Sequence, residues 1–408
     1  MDAFLVEGGI PLQGTVSASG SKNAALPIQA ATLLMEGECS LHGLPELRDV
    51  QTMRRLLEGL EGSVEAPYEL VRQMRASVCV LGPLLARYGR AIVALPGGCV
   101  LGPRPIDLHL KGLEALGAEI LVEHGLIQAV APHGLQGCSL DLTGPMGPTV
   151  LGTANILMAA TLAEGKTVLG GAAQEPEIVE LANFLNSCGA LISGQGTSRI
   201  EIEGVSELHP CEWNLPPDRI EVGTLLLAGA MTGGRLRVNG CRPIEQDCLL
   251  QALRATGLEI QSGEDWIELQ AGQPLQAHSI QTSAYPGFPT DLQAQWMAFA
   301  TVCEGTTFIE EKIYPERFVH AEELNRMGAK IQRSGGGALI RGPISLSGAP
   351  VMASDLRASA ALVLAGLVAE GETVVRRVYH LDRGYEGLEK KLASLGAKVS
   401  RILDESGP

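Results

Sequence analysis

A thiol in a segment rich in glycine and proline is the first candidate for chemistry in this chain. Cys99 lies in the sequence PGGCVLGPRP (residues 96–105), shortly before Arg104. Proline removes backbone N–H donors and glycine raises the entropic cost of order, so the segment is predicted to be a surface loop. Such loops often carry functional residues. The alternative is a half-buried Cys99 that packs as a small hydrophobic side chain.

A carboxylate follows a second proline-rich segment. Asp291 ends the sequence YPGFPTD (residues 285–291), in which two prolines impose an extended approach before a helix begins. A carboxylate presented at the end of a stiff loop suits general-base catalysis. The alternative is that Asp291 caps the N-terminus of the following helix.

Lys22 and Asn23 open an apolar helix predicted to run from Ala24 to Leu34. The N-terminus of a helix offers unpaired N–H groups and a positive potential, and Lys22 adds a charge there, so this position favours an anion. The alternative is an ordinary helix start with a solvated lysine.

Four arginines lie in positions that suit anion binding. Arg75 falls on a predicted helix, Arg104 follows the Cys99 loop, Arg357 begins a nearly pure apolar helix and Arg383 lies in HLDRGYE. A guanidinium group binds carboxylate or phosphate through two parallel hydrogen bonds. Each arginine alone fits a surface ion pair equally well, and together they indicate a polyanionic ligand if the fold gathers them.

Composition restricts the class of protein. The chain has 408 residues, 45 % hydrophobic and 19 % charged, and a net charge of −15. A packed core is expected, whereas nucleic acid and anionic membranes, which require a basic face, are excluded as partners. The nine cysteines are scattered through the sequence, a pattern that fits neither a disulfide framework nor a zinc site and indicates a reducing compartment.

The ends and apolar stretches of the chain predict a cytoplasmic protein without membrane insertion. The N-terminus carries Asp2 and Glu7 and has no basic start, so it does not resemble a signal peptide. The longest run without charge or strong polarity, near residues 358–369, is too short to span a bilayer.

A recurrent pattern sets the predicted architecture. A leucine, three residues, a glycine and a branched residue recur at intervals of about 70 residues, which is too long for the common solenoids. The copies begin at Leu113, Leu185, Leu253, Leu324 and Leu392, with a degraded copy at Leu57. Each copy predicts the end of an amphipathic helix, a glycine cap and a strand. A second series of glycines, each between an apolar helix and a strand, runs in step with the first.

Both series predict six α/β units in two domains of three. Domain I is assigned residues 21–216 and contains Cys99; domain II is assigned residues 1–20 plus 217–408 and contains Asp291 and Arg383. The first unit is shorter by about fifteen residues near positions 61–65. Residues 1–20 are predicted to form a strand, a turn and a strand.

As a set, the motifs resemble those of the UDP-N-acetylglucosamine enolpyruvyl transferases. They are Lys22-Asn23, the PGGC loop, RPIDLH from Arg104, FPTD before residue 292, SDLRAS and HLDRGYE. The resemblance covers essentially the whole chain. The related shikimate-phosphate enolpyruvyl transferases resemble it in fold but lack the PGGC loop.

The resemblance implies a fold and a reaction. The fold is a two-domain inside-out α/β barrel, in which each domain has three units of βαβαββ type. The reaction transfers the enolpyruvyl group of phosphoenolpyruvate to the 3-hydroxyl of UDP-N-acetylglucosamine with release of phosphate, the first committed step of peptidoglycan synthesis. It implies no metal and no organic cofactor, and we expect a monomer.

Motif by motif, the resemblance also implies roles for individual residues. Cys99 is the general acid and adduct-forming thiol, the target of fosfomycin, and Asp291 is the base that takes the proton from the sugar hydroxyl. The cations expected to hold phosphoenolpyruvate are Lys22, Arg104 and Arg383, with Arg75 and Arg357 in support. The residues expected to hold the nucleotide sugar are Asn23, Thr149, Val150, Gly152 and Thr290.

Two departures from the family pattern leave alternatives open. The shortened first unit lacks a strand pair that the family has, which would expose a sheet edge; it motivates a catalytically silent paralogue that binds UDP sugars. The sequence GPMGPT (residues 144–149) is longer and richer in proline than the usual turn. It motivates an enolpyruvyl transferase that uses a different acceptor.

Overall fold

The computed structural model of this chain describes residues 2–96, 106–271 and 274–403, which form an α/β fold. The Cys99 and Arg104 predictions therefore lie outside the described residues. The chain divides into two compact units, one formed by Gly20–Pro216 and the other by Met1–Ser19 with Pro217–Pro408. We call the first the inserted unit and the second the split unit.

The N-terminal part of the split unit consists of strands β1 (Asp2–Glu7) and β2 (Gln13–Ser17). In the inserted unit the helices are α1 (Lys22–Ala31), α2 (Arg48–Gly59), α3 (Tyr68–Val71), α4 (Leu81–Tyr88), α5 (Asp107–Ala115), α6 (Val150–Ala160) and α7 (Pro176–Ser187). Its strands are β3 (Ser40–His42), β4 (Arg90–Ala94), β5 (Glu119–Glu123), β6 (Leu126–Val130), β7 (Ser139–Asp141), β8 (Thr143–Gly144), β9 (Gly147–Pro148), β10 (Lys166–Gly170), β11 (Leu191–Ser193), β12 (Arg199–Glu203) and β13 (Glu212–Asn214).

The split unit continues after Pro217. Its helices are α8 (Arg219–Met231), α9 (Asp247–Ala255), α10 (Gln293–Ala300), α11 (His320–Arg326), α12 (Leu356–Val368) and α13 (Leu388–Ser394). Its remaining strands are β14 (Arg235–Asn239), β15 (Glu259–Ser262), β16 (Trp266–Gln270), β17 (Ile280–Gln281), β18 (Gly305–Glu310), β19 (Ile331–Ser334), β20 (Gly337–Gly342), β21 (Pro350–Met352), β22 (Glu372–Arg376) and β23 (Lys398–Leu403).

Several sheets share one strand pattern. In the split unit the orders are β15-β16-β14-β2, β17-β18-β20-β19 and β21-β22-β1-β23, and in the inserted unit one sheet has the order β11-β12-β10-β7. Each of these sheets contains one parallel pair and two antiparallel pairs. Because a parallel pair needs a long crossover, strands distant in sequence meet in each sheet.

Alanine- and leucine-rich helices form the cores of both units. All but the first two residues of α6 and all but the first residue of α8 are buried, as is all of α10. A helix that is apolar on every side is stable only when other elements surround it. Within the described residues, every helix is too short or too polar to cross a bilayer.

The segment around residues 61–65 is compact. α2 ends at Gly59, α3 begins at Tyr68, and the residues described between them contain no strand. Glu65 forms only an isolated parallel bridge with Ile92 of β4. The sheet that contains β3 has only one other strand, β13. The chain therefore makes a tight connection where its own repeat predicts a strand pair.

Candidate active site

Two arginines hold the carboxylate of Asp291 in the split unit. Asp291 lies in a short 3-10 turn, Thr290–Leu292, directly before α10. Nη1 of Arg317 donates to its Oδ1 at 2.8 Å, and Nη2 of Arg357 donates to its Oδ2 at 2.9 Å. The side chain of Asp291 caps neither the turn nor α10, so the capping interpretation is wrong. The carboxylate is fixed in position by two cations instead.

The loop before Asp291 closes on itself and is anchored to α10. The N–H of Ser283 donates to the carbonyl of Phe288 at 3.0 Å, and Thr282 forms an isolated β-bridge with Phe288. The ring of Phe288 meets the ring of Trp296 edge to face, with centroids 5.4 Å apart. Buried aromatic pairs of this kind add stability beyond their area. These contacts fix the position of Asp291 directly before α10.

Glu311 holds this loop in place through hydrogen bonds to its carboxylate. Its carboxylate is buried and accepts hydrogen bonds from the hydroxyl groups of Thr282 at 2.7 Å and Thr290 at 3.0 Å. The backbone N–H groups of Ile313 and Tyr314 donate to the same carboxylate at 2.8 and 2.9 Å. A buried carboxylate requires such partners. Glu311 therefore ties Thr290 to the turn that precedes Arg317.

The charge of Asp291 depends on its two arginines. Burial alone would raise the pKa of Asp291, but the guanidinium groups of Arg357 and Arg317 outweigh this effect and hold the pKa well below its usual range. The carboxylate is therefore ionised across the physiological pH range. It can accept further hydrogen bonds, because each carboxylate oxygen has two lone pairs.

A polar network inside the core supports the same turn. Nε2 of Gln295 lies within hydrogen-bond distance of the carbonyl of Asp291 at 3.0 Å, Oγ1 of Thr224 at 3.1 Å and the hydroxyl of Tyr385 at 2.9 Å, and its two N–H groups can donate to two of these at a time. The guanidinium of Arg357 lies over the ring of Tyr385, 5.3 Å from its centroid. The amide nitrogen of Gln295 thus ties the backbone of Asp291 to the core, whereas its buried Oε1 has no hydrogen-bond partner in the described residues.

The helix that carries Arg357 begins with a strong cap. Asp355 is the N-cap of α12, and its Oδ1 accepts from the N–H groups of Arg357 at 2.8 Å and Ala358 at 3.1 Å. A cap of this type fixes the first helical turn, and hence the direction of Arg357. Arg383, also in the split unit, ends a 3-10 turn and is half-buried.

Lys22 and Asn23 begin α1 of the inserted unit. The side chain of Ser21 caps this helix by accepting from the N–H of Ala24 at 3.3 Å. Lys22 is not a solvated lysine, because its Nζ lies 3.4 Å from Oδ2 of the buried Asp49. Asn23 is half-buried. The helix start therefore presents a cation held by a carboxylate.

Arg75 begins a 3-10 helix, Arg75–Val80, so the helix predicted at this position is of the 3-10 type. In the same 3-10 helix, the carbonyl of Val78 accepts a hydrogen bond from Nδ2 of the buried Asn155 at 2.9 Å. This Nδ2 also lies 3.1 Å from Nδ1 of His109. Oδ1 of Asn155 accepts from the N–H of Gly82 at 2.7 Å. A Cβ at Gly82 would lie only 2.4 Å from the Asn155 carbonyl, so glycine is required at this close approach.

We expect the His109 imidazole to remain neutral far into the acid range. Burial, and then the charge of Arg75, lower its pKa from 6.5 to about 4. The unfolded chain takes up the proton first, so stability from this group is complete above pH 6.5 and is lost as pH falls towards about 4. The expected loss is on the order of 3 kcal/mol.

The measurement is the NMR titration of the histidine side chains, with urea unfolding at each pH. The control variant His133→Gln removes an exposed imidazole and should leave the pH dependence of stability unchanged. An imidazole signal from His109 that titrates near its ordinary pKa would contradict this prediction.

The segment proposed for the nucleotide sugar starts α6. Thr149 is the N-cap, and its Oγ1 accepts from the N–H of Gly152 at 3.2 Å. Val150 and Leu151 are half-buried, whereas Gly152 is buried. The long proline-rich turn before them is a compact hairpin of β8 and β9. The cap thus leaves the first turn of α6 partly exposed.

The structure groups some of the predicted residues and adds others. Thr290, Asp291 and Arg357 lie together in the split unit. The sequence missed Arg317, Glu311, Gln295 and Tyr385. Arg317 lies between glutamate and phenylalanine, outside every motif on which the sequence analysis rested. The other three are polar residues whose partners are distant in sequence.

Comparison with known proteins gives a consistent result. The family model described as EPSP synthase (3-phosphoshikimate 1-carboxyvinyltransferase) matches residues 6–392. A protein from Methylacidiphilum infernorum named UDP-N-acetylglucosamine 1-carboxyvinyltransferase is 52 % identical, over 98 % of this chain and 99 % of its own length. Proteins of the same name from Koribacter versatilis and Anaeromyxobacter are 51 % and 50 % identical, each over 98 % of this chain, and over 97 % and 100 % of their own lengths.

Solved structures share the fold at low sequence identity. The enolpyruvyl transferase NikO from Streptomyces tendae matches with a TM-score of 0.88 and 23 % identity, over 98 % of each chain. An EPSP synthase from Acinetobacter baumannii matches with a TM-score of 0.74 and 17 % identity, over 99 % of this chain and 100 % of that one.

Proposed function

This chain belongs to the EPSP synthase family, and from that membership we propose that it is a UDP-N-acetylglucosamine 1-carboxyvinyltransferase. The resemblance inferred from the motifs is thereby confirmed. The observation that carries the assignment is that three relatives with this one name are 50–52 % identical over nearly their whole lengths. The reaction transfers the enolpyruvyl group of phosphoenolpyruvate to the 3-hydroxyl of UDP-N-acetylglucosamine, the first committed step of peptidoglycan synthesis.

The chemistry of the substrates explains the need for cations in an acidic chain. Phosphoenolpyruvate has a phosphate and a carboxylate, and the UDP sugar has two phosphates. A protein with a net charge of −15 repels such ligands unless local cations outweigh that charge. We assign this task to Lys22, Arg104 and Arg383, with Arg75 and Arg357 in support. Guanidinium groups match the geometry of phosphate and carboxylate oxygens.

The reaction is an addition followed by an elimination. In the addition, a proton reaches C3 of the enolpyruvyl group, the 3-oxygen of the sugar bonds to C2, and the hydroxyl proton leaves to a base. In the elimination, C3 loses a proton and the C2–O bond to phosphate breaks. We assign Cys99 as the acid that protonates C3 and as the thiol that can form an adduct with the enolpyruvyl group. Cys99 lies outside the described residues.

We assign Asp291 as the base that accepts the hydroxyl proton. Its ionised, fixed carboxylate supports this role, because a base must be unprotonated and correctly oriented. Its lowered pKa makes it a weak base towards a free alcohol. Proton transfer to Asp291 must therefore accompany bond formation at C2, which makes the hydroxyl proton more acidic. Thr290, tied to Glu311, lies beside it.

The nucleotide sugar is assigned to residues at two helix starts and beside Asp291. They are Asn23, Thr149, Val150, Gly152 and Thr290. The start of α6 suits a diphosphate, since helix N-termini attract anions. The local geometry of the Thr149 cap supports this assignment.

We also propose the finer architecture predicted from the repeats. It is a two-domain inside-out α/β barrel of six units, with domain I at residues 21–216 and domain II at residues 1–20 plus 217–408. The strand pattern that four of the sheets share supports it. The two-stranded sheet of β3 and β13 would then be the remnant of the unit shortened near residues 61–65. We further propose that the protein acts as a monomer in the cytoplasm.

The test is release of inorganic phosphate by the purified protein. We expect release only when phosphoenolpyruvate and UDP-N-acetylglucosamine are both present, with mass spectrometry detecting the enolpyruvyl ether of the UDP sugar. Release no greater than that of the Cys99→Ala variant would contradict the proposal. Turnover with only a non-nucleotide acceptor would support an enolpyruvyl transferase that uses a different acceptor. Binding of the UDP sugar without product would support a catalytically silent paralogue. The named relatives favour neither alternative.

A further inference from the structure

Three cysteines that are distant in the sequence meet in the inserted unit. Sγ of Cys188 lies 3.3 Å from Sγ of Cys211. Sγ of Cys39 lies 3.2 Å from Sδ of Met35, and the thiol of Cys188 is close enough to lower the pKa of Cys39. The scattered cysteine pattern of the sequence gave no sign of this cluster. We call Cys39, Cys188 and Cys211 the thiol cluster.

The backbone brings these side chains together. Cys39 directly precedes β3 and Cys211 directly precedes β13, and these two strands pair in parallel with Ser40 opposite Glu212. The N–H of Ser40 donates to the carbonyl of Cys211 at 3.1 Å. Parallel pairing in register therefore sets Cys39 beside Cys211. The cluster depends on hydrogen bonds of the sheet rather than on chance contact.

Cys188 joins the cluster from a helix end. It is the C-cap of α7, and its carbonyl accepts from the N–H of His209 at 2.8 Å. The ring of Phe184 in α7 packs edge to face on the ring of Trp213 in β13, with centroids 6.0 Å apart. The helix end and the strand are thus packed against each other.

The three thiols differ in exposure and in acidity. Cys188 is 1 % exposed, whereas Cys39 and Cys211 are half-buried. The hydrogen bond from Cys188 lowers the pKa of Cys39 to about 6, although burial opposes this shift. The hydrogen bond to Cys39, together with burial, raises the pKa of Cys188. Cys39 is therefore the more accessible and the more acidic of these two thiols, and Cys188 is its buried neighbour with a raised pKa.

Two other uses of the cluster fit less well. In the part of the chain that the structure describes, no group of three or more histidine, cysteine, aspartate or glutamate side chains is arranged to hold a metal ion. The sulfur atoms of Cys188 and Cys211 are also farther apart than the roughly 2.0 Å of a disulfide bond. All three cysteines are free thiols, and those of Cys188 and Cys211 are in direct contact.

We propose that the thiol cluster is a site of oxidation by hydrogen peroxide, in which Cys39 takes up the oxygen and Cys188 forms the disulfide. In the first step, the Cys39 thiolate attacks one oxygen of peroxide, the O–O bond breaks, and Cys39 sulfenic acid and hydroxide form. In the second, the Cys188 sulfur attacks the Cys39 sulfur, the S–O bond breaks and water leaves. Overall, two thiols and one peroxide give one disulfide and two waters.

Cys211 is placed to extend this chemistry. Because its thiol touches Cys188, it can displace Cys39 from the new bond by thiol–disulfide exchange, which moves the bond to Cys188 and Cys211. Either disulfide ties the end of α7 to the strands beside it. In a reducing compartment such a bond is transient, as expected of a reversible modification rather than a structural bridge.

Trypsin offers a direct test, because cleavage after lysine and arginine separates the three thiols. Residues 23–48, 167–199 and 200–219 form three peptides, and each contains one cysteine of the cluster. After brief exposure of the full chain to peroxide and blocking of free thiols, we expect a peptide pair joining 23–48 to 167–199. Its mass should be lower than the sum of the two peptides by two hydrogen atoms, and dithiothreitol should separate it.

Single cysteine-to-serine variants test the role proposed for each thiol. Cys39→Ser should slow formation of every cross-link to residues 167–199 by about tenfold or more, because the remaining thiols are mostly protonated. Cys188→Ser should abolish the cross-link and leave Cys39 as sulfenic or sulfinic acid. Cys211→Ser should keep it. Cys303→Ser, which removes an isolated buried thiol of the split unit, is the matched control and should behave as wild type.

Each possible cross-linking result either supports or overturns the proposal. A cross-link between Cys188 and Cys211 supports it if Cys39→Ser slows that cross-link, and overturns it if Cys39→Ser leaves the rate unchanged. Absence of any cross-link in the wild-type chain, when peroxide has oxidised Cys99, also overturns it. The readout is independent of enolpyruvyl transfer, so failure of the proposed function would leave this result unaffected.

Discussion

Asp291→Asn is expected to lower kcat by a factor of about 10² to 10⁴, the usual contribution of a general base. Asparagine keeps the shape of the side chain but cannot accept the hydroxyl proton. The same change removes the charge between the side chains of Arg317 and Arg357, which are only 5 % and 3 % exposed. Two buried cations without a counter-charge should lower the free energy of unfolding by about 3–5 kcal/mol.

The effect of Asp291→Asn on stability should have a specific pH dependence. Since the folded-state pKa of Asp291 lies below its ordinary 3.8, its contribution to stability is complete above that pH and is lost as pH falls further through the folded pKa. The stability difference between wild type and Asp291→Asn should therefore be constant from about pH 5 to 8 and narrow only in stronger acid. Steady-state kinetics and urea unfolding at each pH measure both quantities.

The control for Asp291→Asn is Asp265→Asn, which changes an exposed carboxylate of the same unit. It should leave kcat unchanged and shift the free energy of unfolding by less than about 0.5 kcal/mol. Assays are run below the unfolding temperature of Asp291→Asn. A folded Asp291→Asn protein with the kcat of the wild type would contradict the assignment of Asp291 as the base.

Glu311→Ala is expected to lower the free energy of unfolding by about 4 kcal/mol, because it removes the acceptor of four hydrogen bonds at a buried position. Thr290 loses its acceptor on Glu311 and retains the hydrogen bond from Nη1 of Arg317. We expect kcat also to fall, by about ten- to a hundredfold, as the carboxylate of Asp291 moves from its productive position. Glu311→Gln keeps one acceptor oxygen and should lie between wild type and Glu311→Ala in both measurements.

The neighbouring Glu310→Gln is the matched control. Glu310 ends β18 and pairs with Lys312 near the surface, so its loss should change neither kcat nor stability appreciably. Urea unfolding and kinetics at a temperature where every variant is folded test the pair. Normal kcat in Glu311→Ala would show that Thr290 and Asp291 are positioned without Glu311.

Local patterns predicted the local elements well. The start of α1 at Lys22, the apolar helix that follows Arg357 and the two strands at the N-terminus were predicted from residue types and periodicity, because capping residues, prolines and apolar spacing act on a few neighbouring residues. The helix predicted at Arg75 is a 3-10 helix that leads into α4, a distinction that residue types alone did not make.

The sequence by itself determined the family of this protein and the residue types available for its chemistry, because motifs are local and survive in the linear order of the chain. Only the tertiary structure decided which charges meet. Arg317, Asp291 and Arg357 are separated by long stretches of sequence and meet because a buried helix, a loop and a turn are packed together. The thiol cluster has the same origin, in two short strands and a helix end. Contacts between residues so far apart in the sequence depend on packing and strand register, and the spacing of residues along the chain does not indicate them.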